Sequence, residues 1–215
     1  MEESQRDVSD RFYIYIIVLV AAIGGFLFGY DLVVIAGALP FLERHFHLSA
    51  AMKGFAVSSA ILGAIAGPLF GLWFTERLGR RKTMMAAAVC FMISAFGTTF
   101  AVTIWDFALW RFIGGAGIGL AMMSSPIYIA ELSPPRLRGA LVNVNQLSNV
   151  IGINLAVIVG YFLSFAGLGW RWMFASVAVP VALLTAGLLI IPESPRWLAA
   201  RNRLEIGRAS CRERV

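Results

Sequence analysis

The sequence predicts an all-α membrane protein with six transmembrane helices, and three observations carry that prediction. Of 215 residues, 59% are hydrophobic and 14% are charged, with a mean hydropathy of +0.78, whereas a soluble domain carries about 25% charged residues. The apolar residues fall into six runs, each near the roughly 20 residues that a spanning helix needs. The basic residues gather at the ends of alternate runs.

The same numbers exclude other classes. Net charge is +6, but the basic residues do not interleave with aromatics on a polar surface, so nucleic acid is not an expected partner. Cys90 and Cys211 form no CxxC pair and imply neither a metal site nor a disulfide framework. Cys90 reads as a small packing residue. No His/Glu metal cluster or Ser/His pair appears in the runs, so no enzyme chemistry and no cofactor are expected. The first run is too long for a signal-peptide core and follows a mixed-charge head, so no cleavable signal is expected.

The first span, Phe12–Leu39, contains Gly24-Gly25-Phe26-Leu27-Phe28-Gly29-Tyr30-Asp31, and Asp31 is its one acidic residue. A carboxylate near the bilayer midplane costs about 2.5–3.5 kcal/mol on insertion scales, so it faces a cavity or a partner. The plainer reading is an aspartate that holds two helices together; the functional reading is a coupling or substrate-site acid. The glycines permit close helix approach or a bend.

Spans two and three, Phe55–Phe74 and Thr83–Val102, flank the tight junction Glu76-Arg77-Leu78-Gly79-Arg80-Arg81-Lys82. Span four, Phe107–Ala130, opens near Arg111 and continues into Gly114-Gly115-Ala116-Gly117-Ile118-Gly119. That glycine series follows no strand and lacks the acid of a dinucleotide fingerprint, so it reads as helix-packing glycines. Arg111 either snorkels to the outer interface or pairs with Asp31, the buried opposite charge available to it. The junction after span four, Glu131 to Gly139, again places an acid beside Arg136 and Arg138.

Span five, Leu141–Phe165, opens with Asn143, Asn145, Gln146, Ser148 and Asn149, followed by Asn154. Amides inside a membrane helix need partners. They are either interhelical glue or the lining of a polar cavity that binds hydroxyls, since an amide both donates and accepts. Phe28, one turn before Asp31, offers an apolar face suited to the C–H surface of a sugar. Span six, Trp172–Ile191, is followed by Pro192-Glu193-Ser194-Pro195-Arg196-Trp197. Three junctions on one side thus place an acid near arginines, a recurrence that supports an inter-helix charge network beyond simple topology charge. His45 and His47 lie in a connector on the other side and read as solvated.

Residues 1–11 form a cytoplasmic head, 12–192 the six-helix domain and 193–205 the start of a cytoplasmic linker, while 206–215 reads as a non-native or misread tail. Lys and Arg number fourteen in the head, even connectors and tail against three in the odd connectors. The positive-inside rule then puts both termini in the cytoplasm of a multi-pass cell-membrane protein. Spans one to three and four to six form two triplets whose first helices carry Asp31 and Arg111, an arrangement suggestive of a three-plus-three inverted repeat around a cavity.

The Gly24–Asp31 stretch, Glu76–Lys82, Arg111-Phe112-Ile113-Gly114-Gly115, Tyr128–Glu131 with Arg138-Gly139, Asn145-Gln146 and Pro192–Trp197 stand in the order seen in the sugar porter family of the major facilitator superfamily, which the chain resembles over about residues 12–203. The resemblance implies the N-terminal half of a twelve-helix fold. It implies a transporter that moves a monosaccharide with protons, whose partners are sugar, protons, the bilayer and a missing C-terminal six-helix half. It implies that Asp31 and Arg111 form the proton-coupling pair and that Gln146 and Phe28 lie at the sugar site, with Asn149 and Asn154 as further candidates on span five. Glu76, Arg80, Arg81, Glu131, Arg138, Glu193 and Arg196 match the cytoplasmic gate. Glu76 stands where Asp or Asn is more usual, and Leu72 where Gly is frequent. The rival readings are a facilitative sugar uniporter and a sugar-sensing membrane receptor on the same fold.

Overall fold

The computed structural model describes residues 2–200, with side chains described for residues 15–199. Residues 201–215, including the expected misread tail and most of the linker's second half, lie outside the described residues. Eight helices follow one another: α1 Glu2–Phe46, α2 Ala50–Leu78, α3 Arg80–Thr99, α4 Ile104–Leu132, α5 Arg138–Phe165, α6 Gly169–Ala175, α7 Ala178–Ile190 and α8 Pro195–Ala200. Among the described residues six stretches are long and apolar enough to cross a membrane, the sixth being Gly169–Ile190, made of α6 and α7 together. The chain is a multi-pass, all-α membrane protein.

Local chemistry sets the edges. Ser49 caps α2 by accepting from Met52 N, and Thr103 caps α4 by accepting from Asp106 N at 3.1 Å. Gly79 joins α2 to α3 at φ 98°, a backbone region that suits glycine. A Cβ there would also lie 2.5 Å from the Glu193 carboxylate. The first helix runs past its expected end at Leu39 and carries Pro40 inside it. A proline there removes one backbone donor, and the apolar run around it still favours burial.

The sixth span is interrupted, where the sequence reads as one continuous run. Pro180 has no N–H to give the Ser176 carbonyl. Val179 N takes that carbonyl at 3.2 Å instead, while Ser176 Oγ turns back to Met173 O at 2.6 Å. The break coincides with Pro180, whereas Pro40, Pro68 and Pro126 are carried inside unbroken helices.

Packing shows the three-plus-three repeat. α4 lies between α2 and α3, and α1 packs along α5 and against the sixth span. Exchanging spans one and four, two and five, and three and six turns the α1–α5 contact into the α4–α2 contact. It likewise turns the contact of α1 with the sixth span into α4–α3. The two central helices carry the same glycine spacing, Gly24, Gly25 and Gly29 in α1 and Gly114, Gly115 and Gly119 in α4. A Cβ at Gly29 would lie 2.1 Å from Asn149 O on α5, and one at Gly115 would lie 2.0 Å from Ala60 O on α2. The same spacing thus makes the same backbone-to-backbone approach in both triplets. Large apolar side chains face outward instead, among them Ile65, Leu69 and Phe70 on α2 and Val157, Ile158 and Phe162 on α5.

Candidate functional site

Asp31 and Arg111 meet between the two central helices. Arg111 Nη1 donates to Asp31 Oδ1 at 2.6 Å and Oδ2 at 2.8 Å. Asp31 is 4% exposed and Arg111 2%, so the arginine turns inward and does not snorkel. Its Nε is buried with no hydrogen-bond partner, and its guanidinium lies over the Phe174 ring, 5.4 Å from the centroid. A pair held this way is a poor source of net stability. Its attraction must offset the desolvation of two ions, yet removing one partner strands a buried charge.

The amides of α5 divide by angle. Asn145 and Asn149 lie on the side facing α1, where their backbone and side-chain oxygens abut Gly25 and Gly29. Ser125 Oγ of α4 reaches Asn145 Oδ1 at 2.9 Å and Ala21 O of α1 at 2.5 Å, tying three helices at one hydroxyl. Asn149 is buried. Gln146 and Asn143 project from the exposed side of the helix, and Asn154, also exposed, donates to Val150 O of its own turn at 2.8 Å. Phe28 is half-buried against the core of α1. The amides of α5 thus fall into two stripes, one at the α1 contact and one on the exposed side of the helix.

At the opposite end of α4 from Arg111, the expected charge network has a definite wiring. Arg80 donates to Glu131 Oε1 from Nη2 at 2.8 Å and from Nε at 3.1 Å, and to Thr75 O at 3.4 Å. Ser194 Oγ donates a short hydrogen bond to the other Glu131 oxygen. Glu193 Oε1 accepts from the backbone N–H groups of Arg81 and Ser194, both at 3.0 Å. Arg81 reaches the last carbonyls of α7, Leu188 O at 2.6 Å and Leu189 O at 3.2 Å, where a cation also suits the helix dipole. Tyr128 donates to Pro192 O, and Trp197 Nε1 donates to Glu76 O at 2.8 Å. The start of α3, the end of α4, and the segment from α7 to α8 are thereby one unit.

Arg138 and Arg196 stand differently. Arg138 Nε is buried without a hydrogen-bond partner, and Arg196 is exposed. Sequence reasoning missed Ser194 as the link between the two acids. The signal was present, since a serine directly before a proline at the first helical position is an N-cap pattern, and Ser194 Oγ lies 3.5 Å from Trp197 N at the start of α8. Phe174 left no such signal, because its contact with Arg111 is purely tertiary. Among the described residues no group of three or more His, Cys, Asp or Glu could hold a metal.

Comparison with known proteins agrees with this geometry. Residues 17–214 match the family model described as "Sugar (and other) transporter". The chain is 41% identical over 205 residues to a glucose transport protein of Synechocystis, covering 90% of this chain and 44% of that protein. It is 40% identical over 226 residues to the D-xylose-proton symporter of Escherichia coli, covering 90% of this chain and 46% of the relative. A solved structure of a proton:xylose symporter of the major facilitator superfamily, bound to 6-bromo-6-deoxy-D-glucose, superposes with a TM-score of 0.90 at 38% identity, covering 94% of this chain and 50% of that one. The chain spans about half the length of the curated relatives it matches. With six spans in two exchanged triplets, a shared fold and a match along nearly its whole length, the chain belongs to the sugar porter family of the major facilitator superfamily and corresponds to its N-terminal six-helix half.

Proposed function

We propose that this chain is the N-terminal half of a proton-coupled monosaccharide symporter that works by alternating access. The observation that carries the reading is the buried pair in which Arg111 Nη1 meets both carboxylate oxygens of Asp31, the charges at the heart of the two triplets. Burial favours the neutral form of a carboxyl and a neighbouring guanidinium favours the charged one. In the proposed cycle, rearrangement draws Arg111 away and a proton takes its place on the Asp31 carboxylate. One proton then accompanies each cycle, and return of the empty carrier waits on its release.

The exposed side of α5 presents Gln146 and Asn154 towards a second six-helix half, with Asn149 behind them and Phe28 on α1. Gln146 and Asn154 would hold the sugar through its hydroxyls and Phe28 through its C–H face, while Asn149 backs them at the α1 contact. The unit built from Arg80, Arg81, Glu131, Glu193 and Ser194, rimmed by Glu76, Arg138 and Arg196, would close the cytoplasmic side when the two halves rock. The Lys and Arg bias supports cytoplasmic termini.

The test is uptake by the full-length protein in sealed vesicles with an imposed pH gradient, across a panel of labelled monosaccharides. Symport predicts accumulation above the outside concentration that a protonophore abolishes. Uptake that only equilibrates would favour the uniporter, and binding without uptake would favour the sensor. A cysteine probe at position 47 should label from outside and one at position 81 should not; the reverse would overturn the orientation.

A further inference from the structure

The interrupted sixth span comes to the coupling pair twice. Arg111 lies over the Phe174 ring, and Tyr30, the residue before Asp31, meets Ser176 Oγ with its hydroxyl at 2.7 Å. Ser176 gives its own hydrogen to Met173 O, so Tyr30 is the donor. The last turn of α6 is thus fastened to α1 beside the acid while it offers an aromatic ring to the arginine. Phe174 is itself fixed: it is 1% exposed and set against the ring of Phe107, one turn before Arg111, with centroids 5.3 Å apart.

We propose that Phe174 is a positioning residue for proton coupling, whose ring holds the Arg111 guanidinium in the part of the cycle when Asp31 is protonated. This rests on the symport reading above. A buried guanidinium that loses its carboxylate must keep some electrostatic partner, and the face of an aromatic ring is one that no proton can neutralise. The observed 5.4 Å already lies within the roughly 6 Å reach of such contacts, and neutralising the carboxylate removes the ring's competitor for the cation. The ring therefore favours the state with Asp31 protonated over the paired state.

Other ionisable groups on the surrounding helices are engaged elsewhere or stand apart. Asp106 accepts from Val102 N, and Arg171 donates to the carbonyls of Thr99 and Ala101. His45 lies against Trp170, Cys90 faces Gly117, Tyr30 serves Ser176, and α5 contributes Arg138 and Tyr161 towards its ends.

The experiment follows the protonated-carboxyl infrared band of Asp31 against pH in the full-length protein, the band being assigned by its loss in Asp31→Asn. Phe174→Leu removes the ring, Phe174→Met does so with an unbranched chain should the leucine variant not fold, and Phe174→Tyr keeps the ring. The midpoint should move to lower pH by roughly half a unit to one unit in the ring-free variants and return in Phe174→Tyr. A midpoint common to all variants, or an Asp31 band absent from all of them, would overturn the inference. Proton-driven uptake is measured beside it in the same proteins. A shifted band in a carrier whose uptake ignores the pH gradient would uphold the role of Phe174 and reject symport.

Discussion

The middle of the bundle and the end that carries the arginine-rich junctions use carboxylates and guanidinium groups in opposite ways. In the middle, one carboxylate meets one nitrogen of one guanidinium, both within 5% of full burial, with an aromatic ring as the other neighbour. At the end, Glu131 and Glu193 are held by an arginine, a serine hydroxyl and backbone N–H groups at once, and the Arg80 and Glu131 side chains remain 19% and 12% exposed. A lone pair in a dry interior has two discrete conditions, closed or stranded, and a single proton chooses between them. A cluster with several donors per acid loses one contact and keeps the rest, so it responds to movement of whole helices more than to any one proton. On the symport reading proposed above, the contrast separates a coupling element from a latch.

Three substitutions probe that contrast, ordered by expected effect. Arg111→Ala should be the most damaging, because it leaves Asp31 buried without its cation. About 3–5 kcal/mol of stability should be lost, read as a lower unfolding temperature in detergent, and combining it with Asp31→Asn should restore much of the loss. An additive double variant would mean that the two residues do not act as a pair.

Glu131→Gln should do less. It weakens the charged hydrogen bonds to Arg80 and Ser194 by about 1.5–3 kcal/mol in sum while the Glu193 contacts persist. The expected outcome is a folded carrier whose cytoplasmic side opens more often, measured as faster alkylation of a cysteine placed at position 75. Unchanged alkylation would show that Glu131 does not latch that side.

Gln146→Ala should have the smallest effect on the protein itself, since the side chain is exposed on α5. Each hydrogen bond to sugar is worth about 0.5–1.5 kcal/mol, so binding should weaken several-fold or more at normal membrane yield. Equal affinity would return Gln146 to the face that simply meets the other half. Asn145→Ala makes the complementary control: it should lower stability, through loss of the Ser125 contact, and leave affinity near its original value.

The sequence made the spans legible because their lengths and apolar content admit no soluble alternative. It also made the buried ion pair legible, since Asp31 and Arg111 are the charges left deep within the runs once topology charge is set aside. The acids and arginines of the end cluster came from motifs, but their wiring did not. Ser194 became visible as the bridge only when α4 and the segment after α7 were brought together. The interruption of the sixth span was hidden by hydropathy, which does not register the backbone donor missing at Pro180. The division of the α5 amides was hidden by angle: Asn145 and Gln146 are adjacent in sequence but about 100° apart around a helix with 3.6 residues per turn. Phe174 belongs to a contact between residues 63 positions apart, for which no local pattern exists.

The central claim is that Asp31 carries the coupled proton, and the direct measurement is transport by Asp31→Asn in the full-length protein, because asparagine imitates the protonated acid permanently. The account predicts that sugar binding and sugar–sugar exchange survive while accumulation driven by a pH gradient disappears. Accumulation that persists in Asp31→Asn would contradict it, leaving the buried pair as a helix fastener and placing the coupling acid elsewhere.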